Sequence, residues 1–160
     1  MRLDAFDRRI AAAQTAEDVW AAVMALFRAH LPAKLFTIMT VDLDAMLARR
    51  AFTSHPTDYP TSGTKEITPN PWFETVVVRG EVFTAQTLSE IAEVFPDHAL
   101  IGSLGCASVL NLPLRREGKI AATVNILDIE GSYPQAAVET ALRLREQAEA
   151  ALRRAAQMER

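Results

Sequence analysis

The two apolar runs on either side of Glu117-Gly118 constrain this chain more than any other feature. "CASVLNLPLRR" and "KIAATVNILD" are each long enough for a strand, and the two residues between them are too few to return the chain as a parallel neighbour. An antiparallel hairpin follows. A second pair lies upstream, where "KLFTIMTV" and "MLARRAFTS" flank a turn at Asp42 to Asp44. With two hairpins the centre of the fold is an antiparallel sheet, and the other segments must cover it.

Helical segments stand at both ends. Leu3, Phe6 and Ile10 share one face; Thr15 is placed as an N-cap with Asp18 at the capping-box position; and Val19, Trp20, Val23, Met24, Phe27 and Leu31 continue an apolar stripe up to Pro32. Pro134 opens the last helix. Between the hairpins, "HPTDYPTSGTKEITPNP" carries four prolines and reads as a long loop with room for a short strand at "TKEIT". Asn70-Pro71 is an N-cap followed by a first helical position, so "WFETVVVR" is a short helix closed by Gly80. "EVFTAQ" reads as a strand, and Ser89 to Leu104 as two helical pieces broken by Pro96. The order predicts an α+β domain: a sheet of five or six strands, terminal helices on one face, loops and short helices on the other. One domain spans residues 1–160, with N-terminal helices over about 3–31, sheet and pocket over about 34–128 and a C-terminal helix over about 134–157.

Composition narrows the function. A formal net charge of −3 and only short, separated arginine pairs give no footprint for a phosphate backbone, so no nucleic-acid partner is expected. No run of about eighteen apolar residues and no signal-peptide pattern is present, so no membrane partner is expected. The single cysteine forms no internal disulfide, and a cytoplasmic protein is the plain expectation.

The run "CASVLNLPLRREGKIAATVNILD" resembles the end of a GAF domain, where a Pro-bearing strand, a Gly turn and a strand rich in small residues precede a C-terminal helix. The resemblance extends over roughly Thr15 to Ala155. It implies a small-molecule sensing module with a pocket between the sheet and the loops opposite the terminal helices. Cyclic nucleotides, tetrapyrroles, haem and amino acids are ligands of such domains, some of which bind nothing. The Asn-Lys pair of the cyclic-nucleotide members is absent, Cys106 is followed by Ala107 rather than the His common beside a bilin attachment, and one cysteine cannot run the thiol cycle of the free methionine sulfoxide reductases. The cofactor or ligand is therefore unknown.

Candidate ligand-binding residues are His55, Tyr59, Trp72, Phe73, Phe95, His98, Cys106, Ser108 and Asn111, all on the loops, short helices or strand starts placed around that pocket. Cys106 follows Gly105 at a strand start, but it has no adjacent cation to activate its thiol and reads as a buried core residue rather than a reactive one. No pair of histidines has metal-ligand spacing, so a zinc site from His55, His98 and Cys106 would have to be assembled by the fold alone. "GSLG" and "SGTK" match neither a nucleophile elbow nor a P-loop, and no constellation marks an enzyme. Asn111 and Asn125 interrupt apolar strands and must be satisfied. With a two-residue turn and an unbroken ladder, Asn111 falls opposite Val124 and Asn125 opposite Leu110, which sends the amides to opposite faces and at most one to the pocket.

The last helix carries two stripes. Val138, Ala141, Leu142, Arg145, Ala148 and Leu152 form one; Ala137, Leu144 and Ala151 form a second, expected to receive the same helix of another copy. The resulting expectation is a ligand-binding sensory or regulatory module, acting as a homodimer through its terminal helices or through a separate signalling partner. The alternatives are a cysteine- or histidine-dependent enzyme on the same fold and a ligand-free dimerisation module.

Overall fold

Thr15 caps a helix as its position suggests: its hydroxyl accepts from the Asp18 N–H at 3.1 Å, and the Asp18 carboxylate accepts from the Gln14 N–H at 3.0 Å. This reciprocal arrangement separates α1 (Asp4–Ala12) from α2 (Ala16–Arg28) in the computed structural model, which describes residues 3–159. The chain continues through β1 (Leu35–Asp42), β2 (Leu47–Thr53) and β3 (Lys65–Glu66). It then forms α3 (Pro71–Phe73), which runs into a π-helical turn at Glu74–Val78, and β4 (Phe83–Ala85). Two short helices, α4 (Leu88–Ala92) and α5 (His98–Ser103), lead to the hairpin of β5 (Ser108–Arg116) and β6 (Lys119–Asp128), and α6 (Gln135–Met158) comes last.

The six strands form one antiparallel sheet in the order β3-β2-β1-β6-β5-β4. The central strands, β1 and β6, are buried on both faces. Ile38, Leu110, Leu112, Val124 and Ile126 pack with Phe6, Val23, Phe27, Leu144 and Ala148, so α1, α2 and α6 share one face. Leu35, Val109 and Leu127 point the other way and form a second core with Tyr59, Ile91 and Ile101 from the loop and short helices. The period of two along each strand divides the chain between these cores.

Two expectations about elements need correction. Glu117 and Gly118 both have positive φ, 55° and 79°, as a two-residue hairpin turn requires, and Arg116 pairs with Lys119. The ladder beyond the turn is broken, however: Arg115 pairs with Ile120 and Leu114 with Ala122, so Ala121 is an extra residue and every later pair shifts by one. Beside the bulge, the Arg115 N–H donates to the Glu149 carboxylate of α6 at 2.6 Å.

The second correction concerns α6. Ala137, Ala141, Leu144, Ala148, Ala151, Leu152 and Ala155 are all buried within the chain, because α6 packs on both α2 and β5. Both stripes thus serve one intramolecular interface. Leu144 and Ala151, expected to meet a second copy, are 0 % exposed, while Leu142, expected in the inward stripe, is 41 % exposed.

Candidate functional site

Because β5 is shifted by one residue, Asn111 pairs with Asn125 rather than Val124, and Asn125 pairs in turn with Thr37 on β1. The expected assignment of the two amides to opposite faces is therefore wrong. Thr37, Asn125 and Asn111 form a polar row across three neighbouring strands, on the face turned away from the long helices. All three are buried, Asn111 to 2 % exposure, and an unmet amide at such depth costs about 1–3 kcal/mol.

The row is linked in sequence. Trp72, brought over it by the Asn70-capped turn of α3, donates its indole N–H to Asn111 Oδ1 at 3.0 Å. Asn111 Nδ2 donates to Asn125 Oδ1 at 2.7 Å, and Asn125 Nδ2 donates to Thr37 Oγ1 at 3.1 Å. An indole N–H only donates, so the end of the chain at Trp72 sets the orientation of each amide in turn. From Asn111 onward the bonds point from β5 towards β1.

Above this row lies a cavity of about 240 Å³. Its walls are largely apolar, with Met39, Val109 and Leu127 from the sheet and Trp72, Phe95 and Ile101 from the covering segments. Phe95 meets Trp72 edge-on at 6.5 Å between ring centres, and Phe83 in the same manner at 6.3 Å. The proline-rich loop closes one side through a polar clasp. The Tyr59 hydroxyl donates to Asp97 at 2.5 Å, the Arg50 guanidinium lies 3.6 Å from the centre of the Tyr59 ring, and it donates to the Pro60 carbonyl at 2.8 Å. Asp97 also lies 3.6 Å from Arg50. Burial, reinforced by Asp97, pushes the Tyr59 phenol well above its ordinary pKa, so it stays a donor at any physiological pH.

Of the residues singled out from sequence, Tyr59, Trp72, Phe95 and Asn111 come together at this cavity. His55, Phe73, His98, Cys106 and Ser108 stand outside its lining. Ser108 shares the period-two face of Leu110 and Leu112, and its hydroxyl ties the β6–α6 corner through the Ile129 carbonyl at 2.6 Å. His55 Nδ1 lies 2.7 Å from Ser54 Oγ, and His98 Nδ1 lies 3.1 Å from the Phe95 carbonyl, which engages one nitrogen of each ring locally. The Phe73 N–H is taken by the Asn70 side chain, and the ring is only partly buried. Cys106 is 2 % exposed among Leu35, Leu127 and Ile101, and burial pushes its thiol up, against the weaker pull of Lys34. Among the described residues no three His, Cys, Asp or Glu side chains come together as metal ligands.

Thr37, Arg50, Asp97, Lys65 and Asn125 complete the site, and only Asn125 carried a signal in the sequence. A threonine inside "KLFTIMTV" and an arginine inside "MLARRAFTS" read as ordinary strand residues until the register is known.

No family model matches the chain, and no curated protein matches it either. Solved structures do. The GAF domain of a two-component sensor histidine kinase from Bacillus halodurans is similar with a TM-score of 0.73 at 8 % identity, covering 92 % of this chain and 100 % of that one. A GAF domain/HD domain protein from Geobacter sulfurreducens gives 0.69 at 13 %, covering 94 % and 98 %. The free methionine-R-sulfoxide reductase from Neisseria meningitidis, solved with its substrate, gives 0.62 at 14 %, covering 95 % and 86 %. At such identities the likeness is one of fold.

Proposed function

The chain has the fold of a GAF domain, and from that premise we propose that it is a sensory or regulatory module whose cavity binds a small molecule and whose terminal helices pass the result on. The observation that carries this reading is the buried, directionally ordered row of Trp72, Asn111, Asn125 and Thr37 under an apolar-walled cavity. A sheet that needed only cohesion would place apolar side chains there, as it largely does on its other face. A few fixed polar groups within apolar walls are the composition of a ligand site.

Size bears on the ligand. At about 240 Å³ the cavity falls below the range of roughly 300–1,000 Å³ that suits drug-sized molecules, which favours a small metabolite over a tetrapyrrole. The output route is supported by the packing: β5 carries Asn111 on the cavity face, and its Arg115 N–H is held by Glu149 of α6. A shift in β5 is felt directly by α6. The receiver we propose is a partner protein or a second copy meeting the outer faces of α1 and α6.

The enzyme alternative loses its best residue, since Cys106 is buried, off the cavity lining, and held in the thiol form. Native mass spectrometry of the freshly purified full chain tests the proposal. A small molecule retained by the native chain and by Cys106→Ser, and lost in Met39→Trp, which fills the cavity from its rim, is the expected result. Retention unchanged in Met39→Trp rejects the cavity as its site.

A further inference from the structure

We propose that the ligand is a small monocarboxylate with an apolar body, its carboxylate received by the Asn125 and Thr37 donors with Arg50 and Lys65 beside them; this rests on the cavity being the ligand site. The direction of the hydrogen-bond row is the starting point. Each amide oxygen already accepts one hydrogen, and the Thr37 oxygen accepts from Asn125. Among the described residues the second hydrogen on each Asn Nδ2 and the hydroxyl hydrogen of Thr37 have no protein acceptor. The polar groups presented to the cavity are therefore chiefly donors, and they call for an acceptor.

Charge is distributed in the same sense. The row's hydrogens point towards β1, so its positive end is at Thr37, next to the strand that carries Arg50. Arg50 pairs with Met39, two residues along β1 from Thr37 and on the same face. Lys65, on β3, stands at the rim with no ion pair among the described residues. Arg49 also borders the cavity, but alternation turns it towards the helices, where it lies 3.7 Å from Glu159. Among the described residues Asp97 is the one carboxylate in the lining, and it is engaged by Tyr59 and Arg50. Neutral donors with one uncommitted cation match a single negative charge; the second charge of a phosphate finds no partner. The apolar walls of Val109, Leu127, Phe95 and Ile101 take up the rest of the molecule.

Isothermal titration calorimetry on the full chain tests this with butanoate, 3-methylbutanoate and 3-phenylpropionate, the amide and amine counterpart of each, and phenyl phosphate. At least one carboxylate is expected to bind about tenfold tighter than its own amide, because hydrogen bonds to an ionised acceptor are roughly twice as strong as neutral ones. Thr37→Val is expected to erase most of that preference, and Lys65→Met, at an exposed position that leaves the fold alone, to reduce it. An amide or amine that binds as tightly as its carboxylate, or phenyl phosphate outbinding all three acids, overturns the monocarboxylate while leaving the cavity reading intact. If none of the set binds, a molecule retained in native mass spectrometry confines the failure to the carboxylate, and its absence rejects both readings.

Discussion

The indole of Trp72 has one polar atom, and that atom can only donate; from this single fact the orientation of two buried amides is fixed. Tyrosines on each side of the sheet show a related dependence on burial. Tyr59 donates to Asp97 on the cavity side, and Tyr133, which donates to the Pro32 carbonyl at 2.7 Å, sits under the β6–α6 corner. Burial is the first cause that raises both phenols far above their ordinary value of 10.0, with Asp97 adding to it at Tyr59 and Asp128 at Tyr133. In the unfolded chain these groups ionise near pH 10 while in the folded chain they hold their protons, so the folded state binds more protons above that pH. Stability should be flat in this respect below pH 10 and fall as pH rises beyond it. Urea unfolding between pH 8 and 11 is expected to show that decline, with a smaller slope in Tyr133→Phe. An unchanged slope in the variant would remove Tyr133 from the account.

At the scale of elements, the contact between α6 and β5 stands beside the bulge that sets the register of the site. Glu149 accepts the Arg115 N–H at the point where Ala121 is left over, and one extra residue is enough to turn Asn111 from facing Val124 to facing Asn125. The bond joins an ionised acceptor to a backbone donor in a half-buried place. Replacing Glu149 with Ala should lower stability by about 1.5–3 kcal/mol in denaturant unfolding, the range for hydrogen bonds to charged groups. Glu149→Gln, which keeps an acceptor, should recover a good part of it. A loss below about 0.5 kcal/mol, the size of an ordinary surface change, would mean that the bulge is held by the strands themselves.

For the whole molecule, the question is what the terminal helices have left to offer a partner. α6 commits Ala137, Leu144 and Ala151 to α2 and the sheet, and its outer side keeps Leu142 among Glu139, Arg143 and Glu146. Leu144→Glu is therefore expected to unfold the domain, since it places a charge at a 0 % exposed position in the core, rather than to separate two folded copies. Circular dichroism checks this; a folded variant of reduced mass would return the second copy to that stripe. For association itself, Leu142→Glu is the informative change. Light scattering over a concentration series should show a mass above 17.6 kDa for the native chain and a fall towards it in the variant. A native mass of 17.6 kDa at every concentration would leave a separate protein as the receiver.

Much of this architecture was legible in the sequence, because it rests on local rules. Short hairpin turns force antiparallel pairs, Thr15 and Asn70 cap the helices that begin beside them, and alternation in β5 and β6 fills a sheet interior. These interactions span a few residues, so their partners are written next to one another. Tyr59, Trp72, Phe95 and Asn111 could be placed near a cavity by the same means, as loop aromatics and a buried amide above a sheet. The rest depended on residues far apart in the chain. Ala121 is a bulge beside the Arg115 N–H, which Glu149 takes from 34 positions away, and the relay that bulge permits joins Trp72 to Asn111 across 39 positions and Asn125 to Thr37 across 88. A period of two makes each face assignment hostage to a single inserted residue. The inward packing of Leu144 and Ala151 was decided likewise by α2 and β5, which close on α6 from two sides and leave one buried arc where the sequence alone reads two stripes.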